Sequence, residues 1–142
     1  MPHESLTKPL YSIAATATGG RTGHTRSEDG VVDLPLGKPG STANPVANPE
    51  TLFAAGYAAC YNGAFALMAQ REGIDASGAE TTANVTLGET GTGVGLAVEL
   101  TTTIPGVDAE TAQALADKAH EFCPYSKATR GNIDVTVVGR PA

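Results

Sequence analysis

Two cysteines, Cys60 and Cys123, are the side chains of this sequence best suited to chemistry. They are too few for a disulfide-built secreted scaffold, and they lack the paired spacing of a zinc site. A pair of thiols suits reversible oxidation, in which one sulfur becomes a sulfenic acid and the other condenses with it to a disulfide. The alternative is that each cysteine is simply a buried apolar residue, which is common for free cysteine.

Cys60 falls within an alanine-rich stretch that predicts a long helix over about 49–72, ending before Gly73. Two glycines bracket the cysteine on one face of this helix and leave space beside the sulfur. Aromatic side chains continue the same stripe, which favours a narrow apolar approach for an organic molecule. The residues of this predicted substrate pocket are Phe53, Gly56, Tyr57 and Gly63.

Cys123 lies where a second predicted helix breaks. Asp108 is predicted to cap this helix over about 109–122, and Pro124 prevents its regular continuation. A helix break has enough backbone freedom for the Cys123 side chain to swing toward a partner. One fixed thiol and one mobile thiol are therefore expected.

A reactive thiolate needs a cation, because a cysteine with a pKa of about 8.5 is mostly protonated at neutral pH. Arg21, set among glycines, is the first candidate and Arg130 the second, although either also fits a solvated loop arginine. Glu50 can hold a guanidinium by a bidentate pair, and it equally suits the first turn of a helix. About 15 Å of helix separates Glu50 from Cys60, so a shared site would take Glu50 from a second subunit.

Short apolar runs with turn residues between them predict strands on both sides of the long helix. The predicted strands cover 11–18, 22–27, 31–34, 82–87, 96–104 and 133–138, with an Asp29-Gly30 hairpin turn and a loop over 37–47. Strands, helix, strands, helix and strand in this order indicate an α+β fold. We expect one domain over 1–142, with antiparallel sheets packed around the long central helix and the second helix.

The composition narrows the possible partners. The chain has 142 residues and a formal net charge of −6, with no basic face for nucleic acid or an anionic membrane. Its first residues lack a basic segment followed by an apolar run, so we expect a cytoplasmic protein. The long helix is apolar almost all round and rich in small residues, which favours a twofold contact between two copies over packing within one chain.

Three motifs carry a family resemblance: TGGR at 18–21, NPETLFAAGYAAC at 48–60 and CPYSKATRGNIDV at 123–135. In this order they resemble the organic hydroperoxide resistance proteins of the osmotically inducible protein C superfamily, over essentially the whole chain. The resemblance implies an intertwined α+β homodimer and a thiol peroxidase without metal, haem or other cofactor. It also implies organic hydroperoxides as substrates and dihydrolipoyl groups of lipoylated proteins as reductant.

The resemblance assigns roles to four residues. Cys60 matches the peroxidatic cysteine and Cys123 the resolving one, while Arg21 and Glu50 match the pair that activates the thiolate and orients the peroxide. Two other functions remain open from the residues themselves. One is a cysteine acyltransferase or hydrolase with His120 as base, and the other is a non-enzymatic dimeric binder of apolar ligands.

Overall fold

The computed structural model of the chain describes residues 3–40 and 46–142, so part of the predicted loop over 37–47 lies outside the described residues. The chain divides into two compact units, Met1–Pro49 and Glu50–Ala142. We call them the N-terminal unit and the C-terminal unit and describe each by itself. A single domain over 1–142 stays a prediction.

The N-terminal unit contains a three-stranded antiparallel sheet. Its strands, in the order they pair, are β1 (Ala15–Thr18), β2 (His24–Ser27) and β3 (Asp33–Pro35). Between β1 and β2, Gly19 and Gly20 adopt positive φ angles of 73° and 62°, which glycine tolerates best. A short 3-10 turn then covers Gly20–Thr22, so β2 begins later than the predicted residue 22.

Side-chain hydrogen bonds make the turn between β2 and β3 wider than the predicted Asp29-Gly30 hairpin. The Asp29 carboxylate accepts from the Val31 N–H at 3.0 Å and from the Ser27 hydroxyl at 2.6 Å. Ser27 also bonds to Val32 through backbone and side chain, which closes the turn around residues 28–32. The predicted strand over 31–34 was therefore wrong at its start, since β3 begins at Asp33.

The C-terminal unit holds the long helix and a second three-stranded sheet. Its elements are α1 (Pro49–Arg71), β4 (Glu80–Thr90), β5 (Gly93–Ile104), α2 (Ala109–Phe122), α3 (Pro124–Thr129) and β6 (Asp134–Pro141). The mixed order of helices and strands confirms the predicted α+β class. β4 and β5 form the predicted antiparallel hairpin, with Val85 opposite Val98.

The last strand departs from the expected antiparallel arrangement. β6 lies parallel to β5, with Val98 opposite Val135. A parallel neighbour requires a crossover connection, and the helical segment between β5 and β6 provides it. The sheet is therefore mixed.

Local signals fix the helix ends. Gly73, with φ of 72°, follows α1, and the Ile74 N–H donates to the Ala69 carbonyl at 2.9 Å in a Schellman closure. The Asp108 side chain accepts from the Thr111 N–H at 2.8 Å and caps α2 as predicted. α3 was not predicted, because Pro124 was interpreted only as the end of α2, although proline also suits the first position of a new helix.

One hydrophobic core joins α1, α2 and a single face of the second sheet. Its largest fully buried apolar side chains are Tyr57, Tyr61, Phe65, Leu100, Ile104 and Leu115. α2 lies so close to β6 that a Cβ added at Gly139 would sit 2.1 Å from the Ala112 carbonyl oxygen. This close approach explains the glycine in a strand interior.

α1 leaves part of its surface outside this core. Small residues at 55, 59, 63 and 66 recur at helical spacing and are exposed. By length and composition α1 is also able to cross a membrane, a test that core helices of globular proteins pass as well. The Asn62 side chain in the same helix donates to the Ala79 carbonyl at 3.3 Å and to Thr81 Oγ1 at 3.1 Å.

Candidate active site

The two cysteines meet inside the C-terminal unit. The Cys123 thiol donates to Cys60 Sγ across 3.6 Å, and both cysteines are free. Cys60 is half-buried, whereas Cys123 has no exposed surface. A disulfide needs a sulfur–sulfur distance of about 2.05 Å, so only a small local movement separates the two thiols from a bond.

The helix break holds Cys123 in place. Its N–H donates to the Ala119 carbonyl of α2 at 2.8 Å, and its own carbonyl accepts from the Lys127 N–H of α3 at 2.9 Å. Cys123 is thus both the C-cap of α2 and the N-cap of α3. A helix, α3, begins where an irregular segment was expected. The mobility of the Cys123 side chain stays a prediction.

The surroundings of Cys60 within the C-terminal unit oppose its ionisation. Burial raises the pKa of the Cys60 thiol above its ordinary value, and Cys123 raises it further. The backbone N–H of Tyr125, which hydrogen-bonds to Cys60, lowers the pKa and partly offsets burial. A positive charge near Cys60 would favour the thiolate at neutral pH.

Aromatic rings cover the predicted pocket beside Cys60. The Tyr125 ring stacks on Phe53 at 6.4 Å between ring centroids and lies 5.7 Å from Tyr57. A Cβ at Gly56 would meet the Tyr125 hydroxyl at 3.3 Å, whereas a Cβ at Gly63 would meet no atom within 4 Å. Gly56 therefore makes room for the Tyr125 ring, and Gly63 faces open space. Their role toward a substrate stays a prediction.

A buried hydrogen-bond network, absent from the sequence predictions, links α1 to α3 and α2. Tyr57 Oη lies 2.8 Å from Ser126 Oγ and 2.9 Å from Thr129 Oγ1. Ser126 Oγ in turn lies 2.8 Å from His120 Nδ1. The sequence feature that could have predicted this network is the pair Ser126 and Thr129, which follows Pro124. Because the two residues are three apart, their hydroxyls lie on one face of a short helix. His120, the candidate base of a hydrolase, is thus bonded to Ser126 through Nδ1.

The predicted charged residues lie in different elements. Arg21 is exposed in the 3-10 turn of the N-terminal unit, and Glu50 is half-buried in the first turn of α1. Arg130, the second candidate cation, donates from Nη1 to the His120 carbonyl at 2.6 Å, near the end of α2. The activating roles of Arg21 and Glu50 stay predictions.

Metal ligands were not expected from the sequence. Across residues 3–40 and 46–142, no group of three or more His, Cys, Asp or Glu side chains is placed to hold a metal ion.

Residues 42–138, which include both cysteines, match the family described as OsmC-like protein. The chain belongs to this family. The OsmC-like chain is 46% identical over 134 residues to the organic hydroperoxide resistance protein of Xanthomonas axonopodis pv. citri, covering 92% of this chain and 94% of the relative. It is 44% identical to the organic hydroperoxide resistance protein OhrB of Bacillus subtilis, over 89% of this chain and 95% of that one.

Solved structures agree with the sequence relatives. The OsmC-like chain superposes on an organic hydroperoxide resistance protein from Elizabethkingia anophelis with a TM-score of 0.88 and 46% identity, covering 96% of this chain and all of the other. With the structure of Bacillus subtilis OhrB the TM-score is 0.86 at 42% identity, over 94% of this chain. The resemblance to organic hydroperoxide resistance proteins is thereby confirmed.

Proposed function

We propose that this protein is a thiol peroxidase that reduces organic hydroperoxides to alcohols. The observation that carries the proposal is the 3.6 Å approach of Cys123 Sγ to Cys60 Sγ, with one thiol half-buried and the other fully buried. Relatives that are 44–46% identical are named for organic hydroperoxide resistance, which supports this class of substrate.

The chemistry proceeds in two steps. The Cys60 thiolate attacks the terminal oxygen of ROOH, the O–O bond breaks, and the leaving alkoxide takes a proton to become ROH. Cys60 is then a sulfenic acid, which condenses with the Cys123 thiol to a disulfide and releases water. A dithiol reduces this disulfide by exchange and becomes a disulfide itself. The two cysteines carry both electrons, so the cycle uses no metal or haem.

Arg21 supplies a positive charge to Cys60. A guanidinium beside the sulfur stabilises the thiolate and the negative charge that develops on the departing oxygen. Glu50 holds this guanidinium by a bidentate pair and comes from a second copy of the chain. Ten residues of regular helix separate Glu50 from Cys60, about 15 Å along the axis.

A homodimer also accounts for apolar surface that one chain leaves uncovered. Large apolar side chains of the N-terminal unit are exposed, including Leu6 at 86% and Leu10 at 88%. The exposed small residues of α1 allow the close approach of a second helix backbone. A second copy would bury both surfaces by a twofold contact.

The function is tested by peroxide consumption with defined reductants. We expect rapid turnover of cumene hydroperoxide with dihydrolipoamide, since a dithiol resolves a mixed disulfide intramolecularly. Glutathione and a thioredoxin system serve as comparisons, and hydrogen peroxide serves as the substrate without an apolar body. No turnover of cumene hydroperoxide with any reductant would reject the function. Equal turnover of hydrogen peroxide would reject only the apolar approach to Cys60.

Mixing two inactive variants tests the origin of Glu50. Cys60→Ser and Glu50→Gln homodimers, unfolded together and refolded, should regain about a quarter of wild-type activity, because half of the dimers then hold one complete site of two. Peroxide consumption measures the recovery, and each variant refolded alone is the control. If Glu50 serves Cys60 of its own chain, the mixture will stay as inactive as its components.

A further inference from the structure

In the buried network around Ser126, the number of hydroxyl hydrogens decides which group donates and which accepts in each hydrogen bond. Tyr57, Ser126 and Thr129 each carry one hydroxyl hydrogen, and Thr129 Oγ1 donates to the Ser126 carbonyl at 3.3 Å. Tyr57 must then donate to Thr129, and Ser126 must donate to Tyr57. Ser126 Oγ is left only as an acceptor toward His120, so all bonds form together only if His120 Nδ1 carries the hydrogen.

Ser126 lies directly beside the groups that contact Cys60. It follows Tyr125, whose N–H hydrogen-bonds to Cys60, and it sits three residues after Cys123. α3 has only six residues, too few to be a stable helix on its own. The side-chain bonds to α1 and α2 therefore contribute, with the packing of the Tyr125 ring, to holding the start of α3 against Cys60.

We propose that His120 is a positioning residue of the thiol site, holding the Tyr125 amide and the Cys123 thiol against Cys60 through its hydrogen bond to Ser126. The catalytic meaning of this inference rests on the proposed function. The effect of His120 on disulfide formation does not rest on that function, because the position of α3 governs disulfide formation with any oxidant.

The surroundings of His120 favour the neutral imidazole, which the positioning role requires. Burial lowers the pKa of the imidazole, and the Arg130 guanidinium lowers it further, while Asp117 and Glu121 act in the opposite direction. The ring is therefore neutral at neutral pH, with one hydrogen to place. Arg130 also donates to the His120 carbonyl, which ties the end of α2 to the residue after α3.

The experiment compares His120→Leu with His120→Asn in the full chain. Leucine removes the donor, whereas the asparagine amide places an N–H near the position of Nδ1. Tyr61→Phe is the matched control, since it deletes a buried hydroxyl of α1 that donates to the Ala116 carbonyl at 2.6 Å, outside the network. Diamide oxidises the two thiols to a disulfide and is itself reduced to the hydrazine, so the assay needs no peroxide. Mass spectrometry follows the Cys60–Cys123 bond.

We expect His120→Leu to slow disulfide formation about tenfold, the worth of one buried hydrogen bond. His120→Asn and Tyr61→Phe should stay within about twofold of the wild type. Equal rates in His120→Leu and Tyr61→Phe would overturn the inference, as would an asparagine variant as slow as the leucine one. Tyr57→Phe is the second variant if His120→Leu fails to fold, and it must be slower than Tyr61→Phe.

Nitrogen-15 NMR of the His120 ring tests the direction of the hydrogen bonds independently of the oxidation rates. We expect the Nδ1–H tautomer in the wild type, and an Nε2–H tautomer would overturn the direction of the network. If the wild type consumes no organic hydroperoxide, the proposed function fails, and the diamide rates still decide the positioning role.

Discussion

Cys60→Ser should abolish the consumption of organic hydroperoxides. The hydroxyl that replaces the thiol has nearly the same size but is not ionised at neutral pH and cannot accept an oxygen atom from ROOH. The loss should be at least about a thousandfold, down to the uncatalysed rate. Consumption of cumene hydroperoxide under dihydrolipoamide, measured with the variant and the wild type at equal concentration, checks this result.

Cys123→Ser is the matched control for this prediction. Cys123 is fully buried and lies 3.6 Å from Cys60 Sγ, so its loss removes the second thiol and leaves the first in place. This variant should consume one equivalent of peroxide and retain a sulfenic acid at Cys60, which a dimedone adduct reveals by mass. A single turnover in Cys60→Ser and none in Cys123→Ser would exchange the two assigned roles.

Local signals were sufficient to predict α1 and α2, although not α3. Alanine propensity and Gly73 define α1, whose end at Arg71 is one residue from the prediction, and Asp108 defines α2 at the predicted start. The direction of β6 was beyond local signals, because the partner of its Val135 is Val98, far away in the chain. Such a pairing depends on which helix covers which face of the sheet, and no pattern inside either strand contains that information.

In the sheet of the N-terminal unit, local interactions moved the ends of the strands away from the prediction. All three strands begin later than predicted, β1 at Ala15 instead of residue 11. β2 begins late because the 3-10 turn occupies Gly20–Thr22. β3 begins late because Ser27 and Asp29 use their side chains to bond the backbone between β2 and β3. Serine and aspartate side chains in such positions hydrogen-bond to nearby backbone groups, and these bonds compete with strand pairing. The pattern of apolar residues therefore set the number of strands but not their ends.

At the candidate site, residue types predicted the two thiols, but not what holds them. Cysteine chemistry singled out Cys60 and Cys123, and the structure brings their sulfurs together. The hydroxyl of Tyr57 gave no signal, because a tyrosine on an apolar helix face predicts only a core position. Networks of this kind join residues distant in sequence, here across 69 positions, and they become visible only once the helices are packed.

Replacing Arg21 with methionine should shift the ionisation of Cys60 to higher pH. Burial raises the pKa of this thiol. If Arg21 provides the compensating charge, Arg21→Met leaves burial unopposed, and the thiolate fraction at neutral pH falls by about tenfold to a hundredfold. The methionine also lacks the donor groups that stabilise the departing oxygen, so kcat/KM for cumene hydroperoxide should fall by about a hundredfold to a thousandfold.

The measurement is the rate of Cys60 alkylation by iodoacetamide between about pH 5 and 9, where only the thiolate reacts. The wild-type rate should level off at a lower pH than the rate of Arg21→Met, and Arg21→Lys should lie between them because it keeps the charge but not the bidentate fork. Arg26→Met is the matched control, since Arg26 is an exposed arginine of the same unit that pairs with Asp33 at 3.5 Å. If Arg26→Met shifts the pH dependence of Cys60 alkylation as far as Arg21→Met does, the change in net charge alone causes the shift. The specific pairing of Arg21 with Cys60 would then be wrong.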